Sequence, residues 1–220
     1  MARKELHLIS DGKRAVAPFI EMAAAVHPLL DYIHLREKQW SALELLAAAE
    51  QLQHVGVPAS KLVINDRLDV ALAAGAAGVQ LAWHSLGPAA ARPLAPYLRL
   101  GRSVHSPAEA AEAARQGADY CLFGHVFPTG SKPGQRERGL AELAEAVGCC
   151  RIPLIAIGGI RPEHAGQILA AGAAGIAVMS GICSAADPVA AAEAYYAAVQ
   201  APQAGEGGVQ DEAAHQRTIR

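Results

Sequence analysis

Short apolar runs of about four to seven residues recur along the chain, and each is followed by a longer Ala-rich stretch with helical spacing. Strands buried on both faces read as continuous apolar runs, so this pattern predicts parallel strands that alternate with helices. The predicted strands are residues 6–9, 32–35, 62–64, 78–81, 98–104, 120–123, 154–157 and 176–179. The predicted helices include residues 41–53, 107–116, 162–171 and 188–199.

Eight such units in about 200 residues fit an α/β fold of one compact domain, the (β/α)8 TIM barrel. The alternative is a doubly wound sheet, which normally carries a glycine-rich dinucleotide loop after its first strand. Here the first strand is followed by Ser10-Asp-Gly-Lys-Arg14, which does not match that loop. We therefore predict a barrel over residues 1–200. Residues 201–220 are Gly-, Gln- and charge-rich without apolar periodicity and are predicted to be a disordered tail.

The composition of the chain limits the kinds of partner that we expect it to bind. The chain is 52% hydrophobic but only 5% aromatic, so its apolar mass is mostly aliphatic, as in helices packed on parallel strands. A net charge of −2 gives no reason to expect nucleic acid or an acidic membrane surface as partner. No run resembles a signal peptide or is long enough to cross a bilayer, so we expect a cytoplasmic protein. The four cysteines form no Cys-x-x-Cys pair, which argues against a metal or redox role.

The segment Phe123-Gly-His-Val-Phe-Pro-Thr-Gly-Ser-Lys132 is the most informative part of the chain. It places His125 directly after the sixth predicted strand, at the end of a barrel where catalytic groups lie. Histidine titrates nearest neutral pH and therefore suits proton transfer. Thr129, Ser131 and Lys132 follow as donors for a phosphate. The structural alternative is that His125 only orders this loop.

Three other loops at the same predicted end carry candidate ligand-binding groups. Arg36 and Lys38 follow the second strand and point the same way, which suits an anion, although an ion pair with Glu37 in a solvated loop explains them equally well. Gly158-Gly159 and Met179-Ser180-Gly181 follow the seventh and eighth strands, which is the recurrent phosphate site of barrels.

Asp66 follows the third strand and is a metal ligand, a helix cap or an ion-pair partner of Arg67. His105 follows the fifth strand and is a second candidate imidazole at the barrel mouth.

Seven motifs spread over residues 5 to 199 share an order with a known family. They are His34-Leu-Arg-Glu-Lys38, Ile64-Asn-Asp66, Gly78-Val-Gln-Leu81, Gly101-Arg-Ser-Val-His105, the 123–132 segment, Ile157-Gly-Gly-Ile160 and Val178-Met-Ser-Gly181. In this order they resemble the thiamine phosphate synthase superfamily, and specifically its thiazole tautomerase branch.

The resemblance implies an isomerase that aromatises a carboxy-thiazole ethyl phosphate, a phosphorylated small molecule, in thiamine biosynthesis. His125 would remove and return the proton as general base and acid. No metal and no other cofactor is expected, and a homo-oligomer is possible. The substrate-binding residues implied are Arg36, Lys38, Asn65, Ser103, Thr129, Ser131, Lys132, Gly159, Met179 and Ser180.

Two alternatives stay open. One is the synthase itself, a Mg²⁺-dependent transferase that joins a pyrimidine pyrophosphate to a thiazole phosphate. Its pyrophosphate-binding cations correspond to Arg36, Lys38 and Lys132, and one Mg²⁺-binding aspartate corresponds to Asp66. The second aspartate is expected at residues 82–85, which read Ala-Trp-His-Ser, so we expect Mg²⁺-independent turnover. The other alternative is a non-catalytic regulatory barrel that binds a thiamine-pathway phosphate.

Overall fold

Eight parallel strands close into a barrel in the order in which they occur along the chain. This computed structural model describes residues 3–201, so the predicted tail lies outside the described residues except for Ala201. The (β/α)8 barrel predicted from the apolar pattern is confirmed. The strands are β1 Glu5–Ile9, β2 Tyr32–Leu35, β3 Leu62–Asn65, β4 Gly78–Leu81, β5 Arg99–Val104, β6 Tyr120–Gly124, β7 Leu154–Ile157 and β8 Gly175–Val178.

Helices surround the barrel, and several begin at capping residues that the sequence displays. Ser41 and Glu44 form a reciprocal capping box, and Asp187 accepts two backbone N–H groups at the start of the last helix. Within residues 3–201, no helix has both the length and the apolar character needed to cross a membrane. The α-helices are α1 Val16–Val26, α2 Ala42–His54, α3 Leu68–Ala73, α4 Pro88–Ala91, α5 Pro107–Arg115, α6 Gly139–Cys149, α7 Ala165–Ala170, α8 Ser180–Cys183 and α9 Pro188–Gln200. Short 3-10 turns occupy His27–Leu29, Ala59–Lys61 and Pro162–His164.

Strand alternation separates an outer core from the barrel interior. Outward side chains such as Leu6 and Leu8 of β1 are fully buried against the helices in one large apolar cluster. The side chains between them point inward. On one side of the interior these are apolar, with Ile9, Leu122 and Ile155 packed together.

The other side of the interior is polar. His7 of β1, His34 of β2 and Gln80 of β4 are all fully buried inside strands that the sequence presents as apolar runs. Burying polar groups is costly unless they are hydrogen-bonded, and these groups bond to one another or to neighbouring side chains.

At the bottom of the barrel, where the strands begin, Asp31 joins β1 to the segment that precedes β2. Its Oδ2 accepts the Leu6 N–H at 2.8 Å, and its own N–H donates to the Leu6 carbonyl at 2.9 Å. In (β/α)8 barrels the catalytic groups lie in the loops at the C-terminal ends of the strands. Groups at the N-terminal end contribute to stability instead.

We expect Asp31→Ala to lower the free energy of unfolding by about 1–3 kcal/mol, because it leaves the Leu6 N–H without a partner. Asp31→Asn is the matched control, because its amide oxygen still accepts that N–H. Urea unfolding of the two variants measures the difference. Equal stability of both variants would mean that this hydrogen bond contributes little.

Candidate active site

Loops from six strands bring the candidate residues to one rim of the barrel. Because the strands are parallel and the barrel is closed, the segments after β2, β3, β5, β6, β7 and β8 all emerge at the same end. Arg36, Asn65, Ser103, Thr129, Lys132, Gly159 and Met179 are all partly buried there, whereas Lys38, Ser131 and Ser180 are exposed.

Four cations converge at this rim. Burial lowers the pKa of Lys132, and the nearby charges of Arg138, Arg36 and Lys38 lower it further. The cations come from the loop after β2 and from the loop between β6 and α6, so closure of the barrel brings them together. Such an arrangement favours a multiply charged anion.

Arg138 is the member of this cluster that the sequence did not reveal. Its Nε is buried without a hydrogen-bond partner, and its guanidinium lies 3.7 Å from the Glu142 carboxylate. In the sequence it stands in the charged run Arg136-Glu-Arg138, which reads as an exposed loop. The only available signal was its position just before α6, at the end of the loop that carries Lys132.

Glu37 does not neutralise Arg36 through an ion pair within the described part of the chain. Burial raises the pKa of Glu37, and the carboxylate lies beside Ser10 and Gly12 instead. The ion pair between Arg36 and Glu37 that the sequence suggested for the loop after β2 is therefore not formed within residues 3–201. Arg36 stays available to an anion.

His125 is nearly buried, at 5% exposure, and its Nε2 lies 3.3 Å from the carbonyl oxygen of Gln135. Its own carbonyl accepts the N–H of Arg138 at 2.9 Å, and the next carbonyl, of Val126, accepts the N–H of Gly139 at 3.0 Å. These contacts tie both ends of the 125–139 loop together. These contacts order the loop around His125, and its catalytic role stays a prediction.

Glycines allow the loops after β6 and β7 to pack closely. A Cβ at Gly158 would lie 2.2 Å from the Cβ of His125, and one at Gly159 would lie 2.3 Å from the Pro128 carbonyl oxygen. Gly159 also has φ +65°, which side chains rarely adopt. The side of Gly159 that a Cβ would occupy thus meets the neighbouring loop, and its contact with a phosphate stays a prediction.

Asp66 makes neither of the two structural interactions expected of it. The cap position of α3 is Arg67, without a side-chain cap, and Arg67 pairs with Asp69. Asp66 instead accepts a hydrogen bond from the Ser85 hydroxyl at 2.5 Å, and its second oxygen lies 3.5 Å from His84 Nε2. With φ 65°, it projects a half-exposed carboxylate at the rim. Metal ligation by Asp66 stays a prediction.

Two further candidates bond within the rim. The Ser103 hydroxyl accepts a hydrogen bond from Gln80 Nε2 at 3.0 Å, and His105 Nδ1 contacts the Gly124 carbonyl. Ser103 lies near the end of β5 and His105 follows that strand, and both side chains are half-buried.

The protein is thus a (β/α)8 barrel with a cluster of cations at its mouth, and comparison with known proteins gives the family. The family described as thiamine monophosphate synthase matches residues 6–182. The chain belongs to this family. Membership indicates a small phosphorylated substrate of the thiamine pathway.

The curated relatives are named as synthases. The thiamine-phosphate synthase of Chlorobium luteolum is 47% identical over 178 residues, which cover 80% of this chain and 84% of that protein. The thiamine-phosphate synthase of Methanoculleus marisnigri is 43% identical over 168 residues, with 74% and 78% covered. The solved structure of thiamine phosphate pyrophosphorylase from Pyrococcus furiosus matches with a TM-score of 0.79 at 35% identity, covering 89% of this chain and 95% of that one.

These relatives correct the expected function. The prediction of a thiazole tautomerase, and hence of an isomerase, is wrong, because the similar proteins are synthases, which are transferases. The tautomerase branch of the family is likewise unsupported. The synthase was disfavoured because residues 82–85 lack a second carboxylate, but Mg²⁺ is commonly held by one or two carboxylates together with the phosphates of a ligand, so that absence does not exclude a synthase.

We expect Gly159→Ala to destabilise the protein by about 1–3 kcal/mol more than Gly134→Ala. Both glycines have positive φ, but a Cβ at Gly134 meets nothing within 4 Å, so the pair separates backbone strain from collision with the Phe127–Pro128 backbone. Thermal unfolding gives the difference, and hydrogen exchange of residues 125–139 shows whether the loop loosens. Equal losses in the two variants would contradict close packing of these loops.

Proposed function

We propose that this chain is a thiamine-phosphate synthase, a transferase that joins a pyrimidine carried on a pyrophosphate to a thiazole phosphate. The observation that carries the proposal is the convergence of four cations, Arg36, Lys38, Lys132 and Arg138, on a rim that also presents the Asp66 carboxylate. A pyrophosphate is the ligand whose charge suits both the cations and the carboxylate. Its oxygens bond to cations and also share a metal with a carboxylate. The names of the relatives support the same reaction.

The reaction needs the leaving pyrophosphate to be stabilised more than it needs a general base. The thiazole ring nitrogen donates its electron pair to the carbon that carries the pyrophosphate, and the electrons of the breaking C–O bond leave on the pyrophosphate oxygen. Negative charge therefore grows on that oxygen. Preorganised cations next to it lower the barrier, because they need no reorganisation as the charge develops.

Arg138 and Lys132 are well placed for this role. Both belong to the 125–139 loop, whose ends are fixed by the His125–Arg138 and Val126–Gly139 hydrogen bonds. His125 then acts by holding this loop, through its contact with the Gln135 carbonyl. Thr129 and Ser131 on the same loop, with Ser180 after β8, supply hydroxyls for the second phosphate.

Magnesium fits this site when it is shared with the substrate. Mg²⁺ is commonly held by one or two carboxylates together with the phosphates of a ligand. Asp66 supplies one carboxylate, and the Ser85 hydroxyl beside it occupies the position at which the second aspartate was expected. Within residues 3–201, no group of three or more His, Cys, Asp or Glu side chains is suited to hold a metal unaided. When bound, Mg²⁺ would neutralise charge on the pyrophosphate.

Lys132→Ala is expected to lower kcat/KM for thiamine phosphate formation by roughly 10²–10³-fold, the range for losing one preorganised charge-stabilising donor. Arg115→Ala, which removes an exposed cation on α5, is the control and leaves the rate unchanged. Product formation from the two phosphorylated substrates is the measurement. Absence of any transfer by the wild-type protein would refute the proposed function.

Lys132→Arg adds a test by pH. Because burial and neighbouring cations lower the pKa of Lys132, its charge is present below that pKa and is lost as pH rises through it. Affinity for inorganic pyrophosphate should therefore fall at alkaline pH in the wild type. In Lys132→Arg the fall should begin at a higher pH. Identical pH profiles would remove Lys132 from the anion site.

Ser85→Asp is expected to lower the Mg²⁺ concentration for half-maximal rate roughly tenfold, equivalent to about 1.4 kcal/mol. The new carboxylate would adjoin Asp66 and restore the second oxygen anion. Asp69→Asn, next to the same loop but paired with Arg67, is the control. Turnover that persists in excess chelator would contradict a magnesium site. It would instead support the Mg²⁺-independent turnover that the sequence led us to expect.

A further inference from the structure

Tyr195 of α9 contacts the turns that follow the last two strands, β7 and β8. Its hydroxyl donates to the carbonyl oxygen of Ile160 at 2.8 Å. A Cβ at Gly181 would lie 2.2 Å from the same hydroxyl oxygen, so only glycine leaves room for it. The side chain of Tyr195 is buried. One hydroxyl therefore contacts both turns, although it has no part in the proposed reaction.

The direction of this side chain is fixed by α9. Ala192, Tyr195 and Val199 recur at helical spacing and are all buried, so they form the inner face of the helix. This helix contacts α7 and α8, which follow β7 and β8. Asp187 caps its first turn by accepting two backbone N–H groups. The ring of Tyr195 is therefore directed by a packed and capped helix.

The hydroxyl of Tyr195 keeps its proton and acts as a donor. Burial raises the pKa of Tyr195, and the charge of Glu163 raises it further, although Arg161 partly offsets this. A neutral phenol has one O–H to donate, and the carbonyl of Ile160 accepts it.

The turn after β7 depends on contacts from outside itself. Gly158 and Gly159 have φ values of +99° and +65°, and glycine gives the chain little conformational preference of its own. On one side, the N–H of Phe127 donates to the Gly158 carbonyl at 3.0 Å. On the other side, Tyr195 holds the carbonyl of Ile160. Loss of the hydroxyl would remove one of these contacts and leave the carbonyl of a buried residue without that donor.

The helix α8 also depends on tertiary contacts, because its four residues make about one turn and so short a helix is not stable alone. At its end, Arg14 Nε donates to the Cys183 carbonyl at 2.7 Å. Near its start, the hydroxyl of Tyr195 lies against Gly181. These contacts set where the exposed Ser180 lies at the rim.

We infer that Tyr195 is a positioning residue for the second phosphate of the reaction, because it holds the turn after β7 and α8 in one relative arrangement. The ligand in this inference rests on the proposed function, in which that phosphate belongs to the thiazole. Gly159 and Ser180 are its predicted contacts, and Tyr195 acts through them without touching the ligand. A turn that is already ordered loses less entropy when the phosphate binds, so its affinity is higher.

Binding of two ligands separates this role from a general one. Calorimetry with the thiazole phosphate and with inorganic pyrophosphate compares the wild type, Tyr195→Phe and the control Tyr196→Phe, which removes a hydroxyl from the half-buried neighbouring ring. We expect Tyr195→Phe to weaken binding of the thiazole phosphate about tenfold and to leave pyrophosphate affinity unchanged. The control should match the wild type for both ligands.

Several results of this measurement would overturn the inference. They are an unchanged affinity of Tyr195→Phe for the thiazole phosphate, an equal loss for both ligands, or a wild type that binds pyrophosphate alone. A merely structural hydroxyl would lower the melting temperature and leave both affinities as they are. A wild type that binds neither ligand would instead refute the proposed function.

The positioning itself is testable without any ligand. Hydrogen exchange of residues 158–160 and 180–183 should be faster in Tyr195→Phe than in Tyr196→Phe. Gly181→Ala should lower the melting temperature less in the Tyr195→Phe background, because the new Cβ then meets the ring Cζ at 3.0 Å instead of the hydroxyl. Unchanged exchange, or additive effects of the two substitutions, would overturn the positioning role whatever the ligands do.

Discussion

Pairing of the first strand with the last is the constraint on which the site depends. Glu5 to Leu8 of β1 register with Gly175 to Val178 of β8, and a Cβ at Gly175 would lie 2.1 Å from the Glu5 carbonyl oxygen. This close approach closes the barrel and makes its C-terminal strand ends a single rim. Arg36 and Arg138, about a hundred residues apart in sequence, both lie near Lys132 because of that closure.

Positive charge is concentrated at the rim of the barrel. The chain as a whole carries −2, but Arg36, Lys38, Lys132 and Arg138 gather where the strands end. Burial and then the charges of the other three cations lower the pKa of Lys132, and a bound anion would offset their repulsion. The same rim holds Asp66 apart from Arg67, which pairs with Asp69. The carboxylate of Asp66 instead lies beside Ser85 and His84 at the same rim as the cations.

The interior links the two ends of the barrel. Arg99 and Glu5 form an ion pair near the bottom, with Arg99 stacked over the rings of Tyr32 and Tyr120, and the histidines continue that network upwards. The network therefore runs from this ion pair into the interior, where His34 Nδ1 and the Tyr120 hydroxyl are buried without a hydrogen-bond partner among the described residues.

Local pattern was sufficient for much of this description. The apolar runs located all eight strands, and Ser106 and Asp187 marked the starts of α5 and α9. The positions of Arg36, Lys132 and Asp66 at strand ends followed from the same alternation of strands and helices, because each of these features depends on residues close together in the chain.

Other features were decided only by the tertiary structure. The sequence did not show that His7 bonds to His34, that Arg138 joins the cations, or that Gly159 packs on the Phe127–Pro128 backbone. It also suggested the wrong reaction, since residues 82–85 lack the second aspartate that was expected of a synthase. Each of these contacts joins different strands or loops. Its geometry is set by strand register and barrel closure, which local periodicity does not encode.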